Sequence, residues 1–292
     1  MKKKHLENLR EFCNGMKRHN YELPDCIVYI LERRGRADFD FWDIAALTGD
    51  SVAHVYHTNP STFCGYCVSG YLAGEKYVTS VFDRLGYSSE YVPYELLTAG
   101  TDELECIIGD GKHVNLIFVG EMLRKATPRD ILLTSLKNTA KWLTHPSCGS
   151  MFFGFNALRA WAGDIRLGRF TDEKLDSDWW SNWGVYVCNI AASGGQIAAL
   201  LKKASLSDDT YAFLADIAAQ VDELFPAENP YGAGRCLLWL RFEELGVGMD
   251  MESVKEKLSC PEIREQAART LEDYADRLEK IAQIMAELEG RL

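Results

Sequence analysis

The spacing of apolar and polar positions in the first hundred residues predicts short helices that end at glycines. In "LPDCIVYILERRG", Ile27, Ile30 and Leu31 follow the helical i, i+3, i+4 spacing, which predicts a helix over 26–34. Asp25 is predicted to cap this helix and Gly35 to end it. The segments "FWDIAALTG" and "EKYVTSVFDRLG" repeat the pattern, and "SSEYVPYE" then predicts a strand.

A β-hairpin is predicted in "ELECIIGDGKHVNLIFVGE", where two apolar runs flank Gly109, Asp110 and Gly111. Asp-Gly is typical of a primed turn because both residues tolerate positive φ angles. Together with the preceding strand, this hairpin predicts about three strands in all, which is enough for one small antiparallel sheet.

From Thr127 onward the patterns are helical. "TPRDILLTSLKNTAKWL" places Pro at the first helical position, and "MFFGFNALRAWAGDI" puts large residues on one stripe: Phe152, Phe155, Leu158 and Trp161. "DWWSNWGVYVCNIAASGGQIAALLKKA" and "DDTYAFLADIAAQVDELF" predict further helices. We therefore expect an α+β protein, mostly α, in which an N-terminal lobe (1–125) with a small antiparallel sheet packs on a C-terminal helical bundle domain (126–292).

The last predicted helix, over 261–292, carries a heptad seam. Its apolar positions alternate by four and three: Ala267, Leu271, Tyr274, Leu278, Ile281, Met285 and Leu288. Such a seam is typical of a dimerising coiled coil, and it is equally typical of an outer helix packed antiparallel on its own bundle. The second arrangement is the commoner, and a homodimer stays the alternative.

Charge and cysteine content narrow the function classes. The formal net charge of -11 disfavours nucleic acid and anionic membrane surfaces as partners. We find neither a run of roughly 20 apolar residues nor a signal-peptide core, so we expect a cytoplasmic protein with no membrane partner. Nine scattered cysteines in a chain of 292 residues predict reduced, mostly buried thiols.

Cys26 is the first candidate for chemistry. At a helix N-terminus, unpaired N–H groups and the helix dipole favour a nucleophilic thiolate, although the charge of the adjacent Asp25 opposes it. A cysteine mechanism also needs an imidazole within hydrogen-bond reach. His113, at the start of the strand "HVNLIFV", is the best partner among the six histidines. The alternative is a buried structural thiol, because free cysteine is among the most buried residue types.

A weaker candidate is a metal or redox site in "HVYHTNPSTFCGYC". His54, His57, Cys64 and Cys67 are zinc-ligand types, but only six residues separate the two pairs where zinc fingers use about a dozen. A redox Cys-x-x-Cys pair would follow a strand, and we see no strand pattern before Phe63. We therefore expect no metal.

The glycines form neither a P-loop nor a dinucleotide fingerprint, so we expect no cofactor. An aromatic cluster at helical spacing is a candidate binding surface for an apolar ligand and equally a contact between two helices. It comprises Trp179, Trp180 and Trp183.

The segments "LPDCIVYILERRG", "DFWDIAALTGDS" and "VFDRLGY" resemble the N-terminal region of bacterial proteins related to the butirosin-biosynthesis acyltransferase. "LIFVGE", "FNALRAWAGDIRLGRF" and "WGVYVCNIAA" are similar to segments of the helical region that follows in that family. The resemblance implies a papain-like cysteine-peptidase fold with Cys26 at the nucleophile position, at the start of the central helix. It covers nearly the whole chain.

The chain departs from the family where the catalytic histidine should lie. Relatives carry that histidine on sheet strands, whereas here only "LLTAGTDELECIIGDGKH" fills the interval. About eighteen residues build one hairpin arm and a turn at roughly 3.3 Å per residue, not several strands. We therefore expect a reduced papain-like lobe, in which His113 serves from an unusual place or the base is missing.

Three functions remain open at this point. The first is a non-catalytic descendant of the family that binds a small molecule or peptide in a cleft near Cys26. The candidate binding residues are Asp25, Trp42, Trp179, Trp180 and Trp183. The shortness of the segment that should carry the catalytic histidine favours this function. The second is an acyltransferase or amide hydrolase, in which Cys26 attacks a carbonyl and His113 moves the proton. The third is an interaction protein that dimerises through the helix over 261–292.

Overall fold

The computed structural model is mostly helical, with small antiparallel sheets, as the sequence predicts. The residues it describes are 22–49, 55–58, 76–91, 104–109, 113–171, 195–207, 209–224, 237–248 and 250–292.

Three helices form the N-terminal part: α1 (Glu22–Arg33), α2 (Phe41–Thr48) and α3 (Lys76–Leu85). In α2 the Asp40 carboxylate accepts the Trp42 and Asp43 N–H groups, and the Asp43 side chain accepts the Asp40 N–H group, which makes a capping box. Gly49, with φ of 73°, closes the helix as predicted, because glycine adopts left-handed backbone without strain.

A three-stranded sheet follows. Its strands are β2 (Tyr87–Tyr91), β3 (Leu104–Gly109) and β4 (His113–Met122), and β4 lies in the centre, antiparallel to both neighbours. The predicted hairpin is confirmed. Its last pair is Gly109 with His113, so three residues, 110–112, connect the strands where a primed turn would use two. Those three residues lie outside the described part.

A second, two-stranded sheet was not predicted. Strands β1 (Val55–His57) and β5 (Met151–Phe153) pair antiparallel, with Tyr56 opposite Phe152. The prediction that Phe152 belongs to a helical stripe is therefore wrong. The expectation that no strand precedes Phe63 is also wrong, and the described residues hold five strands where about three were expected. A three-residue strand carries too little periodicity to be seen in sequence.

Helices make up the rest of the described chain. In chain order they are α4 (Pro128–Leu143), α5 (Gly154–Arg166), α6 (Gly195–Ser207), α7 (Leu214–Leu224), α8 (Leu237–Glu244), α9 (Met251–Leu258) and α10 (Pro261–Glu289). Thr127 caps α4 and Pro128 occupies its first position, as predicted. Short 3₁₀ turns cover Arg169–Thr171 and Asp209–Tyr211, so the helix predicted from Asp208 begins only at Leu214.

Buried apolar side chains form two large clusters. The smaller lies among α1, α2, α3 and the three-stranded sheet, and the larger fills the space among α4 to α10. Helix α4 contributes to both, since Ile131 packs in the smaller cluster and Leu132 in the larger. Tyr56, from the N-terminal part, packs in the larger cluster. Contacts thus cross the boundary predicted between 125 and 126, and the division into two domains stays a prediction.

The heptad seam of α10 faces the inside of this chain. All seven seam residues are buried, and α10 packs against α4 and α5. The interpretation of this seam as a dimer interface is therefore wrong, because its apolar surface is already covered by the chain's own helices. No helix within the described ranges is long and apolar enough to cross a membrane.

Candidate functional site

Cys26 does not begin a helix. Helix α1 already includes Glu22, so Asp25 and Cys26 are its fourth and fifth residues, and the prediction that Asp25 caps the helix is wrong. Pro24 lies in the first turn of α1, where proline is tolerated because the N–H groups of that turn have no partner within the helix. The Cys26 thiol therefore lies in the second turn, past the N–H groups that would stabilise a thiolate.

The Cys26 side chain is inaccessible to solvent, with an exposed fraction of 0%. It packs in the smaller apolar cluster, together with Ile44 and Leu47 of α2 and Phe82 of α3. Asp25 is buried as well, at 3% exposure. A nucleophile must reach a substrate carbonyl within about 3–3.5 Å. The surroundings of Cys26 leave no room for such an approach in this conformation.

His113 is the first residue of β4, which confirms its predicted place at the start of the strand. The helix that carries Cys26 packs against β3, the partner strand of β4 in the hairpin. The His113 side chain lies outside the described part of the structure. The dyad of Cys26 and His113 therefore stays a prediction.

The predicted aromatic binding residues are separated from Cys26 where they are described. Trp42 is half-buried and packs edge-on against Phe41, with ring centroids 5.1 Å apart. It belongs to a third, small cluster with Phe41 and Ala45, on a face of α2 different from the one that meets Cys26. Trp179, Trp180 and Trp183 lie outside the described residues.

The metal hypothesis is tested only in part. His57 ends β1, and its side chain, like His54, Cys64 and Cys67, lies outside the described part. Among the side chains that the structure describes, no group of three or more His, Cys, Asp or Glu residues could hold a metal ion.

A buried polar centre that the sequence did not indicate lies where β1 meets α5. The Tyr56 hydroxyl donates to Asp164 Oδ2 at 2.8 Å, and Arg169 Nε lies 3.2 Å from Asp164 Oδ1. Arg169 Nη1 also donates to the Thr58 carbonyl at 2.9 Å. Tyr56 and Asp164 are 2% and 4% exposed, so their hydrogen bond is shielded from water, whereas the Arg169 side chain is 42% exposed.

The electrostatics of this centre follow from its burial. Desolvation raises the pKa of Asp164, although the Tyr56 hydroxyl and the Arg169 guanidinium both favour its charged form. Burial, together with the neighbouring Asp164 carboxylate, raises the pKa of Tyr56 well above its ordinary value. Tyr56 therefore stays a neutral donor, and the centre fastens β1 to the bundle.

A second buried acid joins α2 to α6. Lys203 Nζ contacts both the Asp43 and Asp40 carboxylates, the latter at 3.0 Å. Burial raises the pKa of Asp43, while the Lys203 ammonium opposes that rise. Because Asp40 and Asp43 also form the capping box of α2, this contact ties the start of α2 to the bundle.

The C-terminal bundle holds an arginine-lined groove of about 280 Å³, which we call the arginine groove. It lies between α8 and α10, and six residues line it: Arg241, Arg269, Thr270, Asp273, Tyr274 and Arg277. Arg241 comes from α8 and the others come from α10. The side chain of Tyr274 is buried, at 3% exposure, and belongs to the underlying core.

Sequence reasoning missed both the Tyr56 centre and the arginine groove. Tyr56 and Asp164 are 108 residues apart, and Arg241 lies on a different helix from the other arginines. The arginines at 269 and 277 do share one face of a helix, and this was the one available signal. On its own, that spacing is also typical of a solvated face with helical ion pairs.

Comparison of the sequence with models of protein families gives no match. None of the curated proteins matches it either. The resemblance to the butirosin-biosynthesis acyltransferase family therefore stays a prediction, and the function is argued from the described residues.

Proposed function

We propose that this chain is a non-catalytic binding protein for a small molecule. The observation that carries its non-catalytic part is the burial of Cys26, whose side chain has an exposed fraction of 0% inside the second turn of α1. A thiol enzyme presents its nucleophile at the edge of a cleft. A thiol in the same buried apolar cluster as Ile44, Leu47 and Phe82 acts as a small core hydrophobe.

The networks around α1 support the same proposal. Arg34 donates to the carbonyls of Gly120, at 2.9 Å, and of Val119 on β4. Arg36, 6% exposed, binds Asp38 at 2.6 Å and lies 4.9 Å from the centre of the Phe39 ring. The Arg34 bonds join the end of α1 to β4, so a movement of α1 that exposed Cys26 would break them.

The experiment compares the reactivity of two cysteines in one native chain. Cys148 is exposed and Cys26 is buried, so Cys148 is the internal control. The intact protein is treated with iodoacetamide at pH 7, and labelling at each cysteine is followed by peptide mass spectrometry. We expect Cys26 to react at least about a hundredfold more slowly than Cys148, because reaction at Cys26 requires local unfolding. In urea the two rates should become similar.

The proposal fails if Cys26 reacts as fast as Cys148 or faster, and if His113→Ala removes that reactivity. This result would support the acyltransferase or amide hydrolase hypothesis. A second measurement uses an activated acetyl ester in place of iodoacetamide. Acetyl groups found on Cys26 rather than on Cys148 would also overturn the proposal, because they would identify an acyl-enzyme.

A further inference from the structure

The arginine groove brings three guanidinium groups together on a chain that is acidic overall. The formal net charge of the protein is -11, yet three of the six lining residues are arginines and only one, Asp273, is acidic. Guanidinium groups bind phosphate and carboxylate oxygens through paired, charge-assisted hydrogen bonds. A groove that brings such groups together from two helices has the chemistry of an oxyanion site.

Each arginine of the groove is paired with an acidic side chain. Arg241 Nη1 contacts Glu244 Oε2 at 2.7 Å, Arg269 Nε contacts Glu265 Oε1 at 2.8 Å, and Arg277 Nε contacts Asp273 Oδ2 at 2.8 Å. Arg277 Nη1 also donates to the Leu224 carbonyl at 3.0 Å. Arg277, whose side chain is 30% exposed and bonded twice, is the most restricted of the three and loses the least conformational entropy when a ligand binds.

Most of the N–H groups of these arginines make no hydrogen bond to the residues that the structure describes. Each guanidinium carries five N–H donors. Within the described part of the chain, hydrogen bonds occupy one donor on Arg241, one on Arg269 and two on Arg277. The remaining donors outnumber the oxygen atoms of a single phosphate or carboxylate group, so an oxyanion could accept from more than one arginine.

The size and the floor of the groove restrict the ligand further. A volume of about 280 Å³ lies at the small end of ligand-binding cavities, so a metabolite fits and a folded protein domain does not. The floor includes the buried ring of Tyr274, with the Arg277 guanidinium 5.8 Å from its centre. The ligand therefore needs anionic groups for the rim and a small organic body for the floor.

We propose that the arginine groove binds a small organic oxyanion, either a phosphate monoester or a dicarboxylate. This inference rests on the proposed function, a non-catalytic small-molecule binder, and identifies its site and ligand class. Arg241 and Arg269 hold the anionic groups from opposite sides, and Arg277 supports the ligand beside Tyr274. Asp273 limits the affinity, because its carboxylate opposes a bound anion and occupies the Nε of Arg277.

The test uses the full chain with glycerol phosphate and succinate as probes, and chloride at equal ionic strength as the blank. Binding is followed by calorimetry and by thermal stabilisation, since a ligand of the native state raises Tm. Arg269→Ala should weaken binding by about ten- to a hundredfold, because it removes a charge-assisted pair. Arg291→Ala is the matched control. It removes the same charge from an exposed arginine outside the groove and should leave the affinity unchanged.

A second variant tests the groove by a gain of affinity. Asp273→Asn removes the opposing charge and should tighten binding of the effective probe severalfold, a result that unfolding cannot imitate. Binding of only one probe identifies its class, phosphate monoester or dicarboxylate, and binding of both identifies a general oxyanion site. The inference is overturned if neither probe exceeds the chloride blank, or if Arg291→Ala weakens binding as much as Arg269→Ala. Its failure is distinguishable from failure of the proposed function, because labelling of Cys26 does not depend on the groove.

Discussion

The buried hydrogen bond between Tyr56 and Asp164 gives a direct test of how β1 is held on the bundle. Tyr56→Phe keeps the ring, which is 2% exposed and lies parallel to Trp161 with centroids 6.4 Å apart. The variant removes only the hydroxyl that donates to Asp164 Oδ2 at 2.8 Å. Because no large cavity forms, the loss of stability comes chiefly from the lost hydrogen bond to Asp164.

A hydrogen bond to a charged group contributes about 1.5–3 kcal/mol, so we expect Tyr56→Phe to lower the free energy of unfolding by about 2 kcal/mol. At roughly 2–4 °C per kcal/mol for a chain of this size, Tm should fall by about 4–8 °C. The measurements are urea unfolding followed by circular dichroism at pH 7 and a thermal scan. Tyr211→Phe, at a half-buried tyrosine of the 3₁₀ turn, is the control and should change stability by less than about 0.5 kcal/mol.

The pH dependence of this loss has a defined sign. Burial raises the pKa of Asp164, and the Tyr56 hydroxyl lowers it, so removal of the hydroxyl should raise that pKa further. The variant then regains stability relative to wild type as the pH falls and its Asp164 binds a proton. The loss should therefore be largest at neutral pH and shrink as the pH falls through the titration of Asp164.

A double-mutant cycle isolates the pair. In an Asp164→Asn background, Tyr56→Phe should cost less than about 1 kcal/mol, because the charged acceptor is gone. Equal costs in both backgrounds would refute the argument that the bond to the carboxylate carries the effect. A loss at Tyr56 no larger than the loss at Tyr211 would refute it as well.

The remaining predictions concern a helix end, an ion-pair network and a helix cap. Gly49→Ala should lower the free energy of unfolding by about 2–3 kcal/mol, and Gly35→Ala by only about 1–2 kcal/mol. Both glycines have positive φ, which strains any other residue. Only at Gly49 would the new Cβ also clash, because it would lie 2.9 Å from Trp142 Cδ1, whereas a Cβ at Gly35 meets nothing within 4 Å. Urea unfolding of the two variants checks this, and equal losses would contradict it. Hydrogen bonds from Arg166 and Arg269 hold the pKa of Glu265 at about 2. The difference in unfolding free energy between wild type and Glu265→Gln should therefore be largest above about pH 4.5 and disappear as the pH falls toward 2. Unfolding measured from pH 2 to 7 tests this, and a difference that grows as the pH falls would refute it. Thr127→Ala should cost about 1 kcal/mol through loss of the α4 cap, where the Thr127 hydroxyl accepts the Asp130 N–H group at 3.2 Å; Thr134→Ala in the middle of the same helix is the comparison.

Features with a local physical cause were predictable from the sequence. Gly49 and Gly86 end their helices where expected, and Thr127 with Pro128 begins α4, because capping depends on residues within one helical turn. The hairpin was found from its glycines and its two apolar runs. The long apolar stripe of α10 identified a buried face, although only packing showed that its partners are helices of the same chain.

Features that join distant segments were not predictable. Strand β1 has three residues and exists because β5, almost a hundred positions away, pairs with it. The prediction that Cys26 lies at a helix N-terminus was wrong because it too depended on local residues alone. Asp25 satisfied the local rule for a cap, but α1 begins at or before Glu22, and the core among α1, α2 and α3 closes over the thiol.

The sequence by itself determined the fold class, the ends of several helices and the apolar faces, because backbone sterics and helical periodicity depend on residues that are close together in the chain. The tertiary structure alone decided that Cys26 is buried, that Tyr56 reaches Asp164, and that arginines of α8 and α10 share one groove. Burial and electrostatic environment are properties of a position in space, and a chain reaches that position only when segments far apart in sequence pack together.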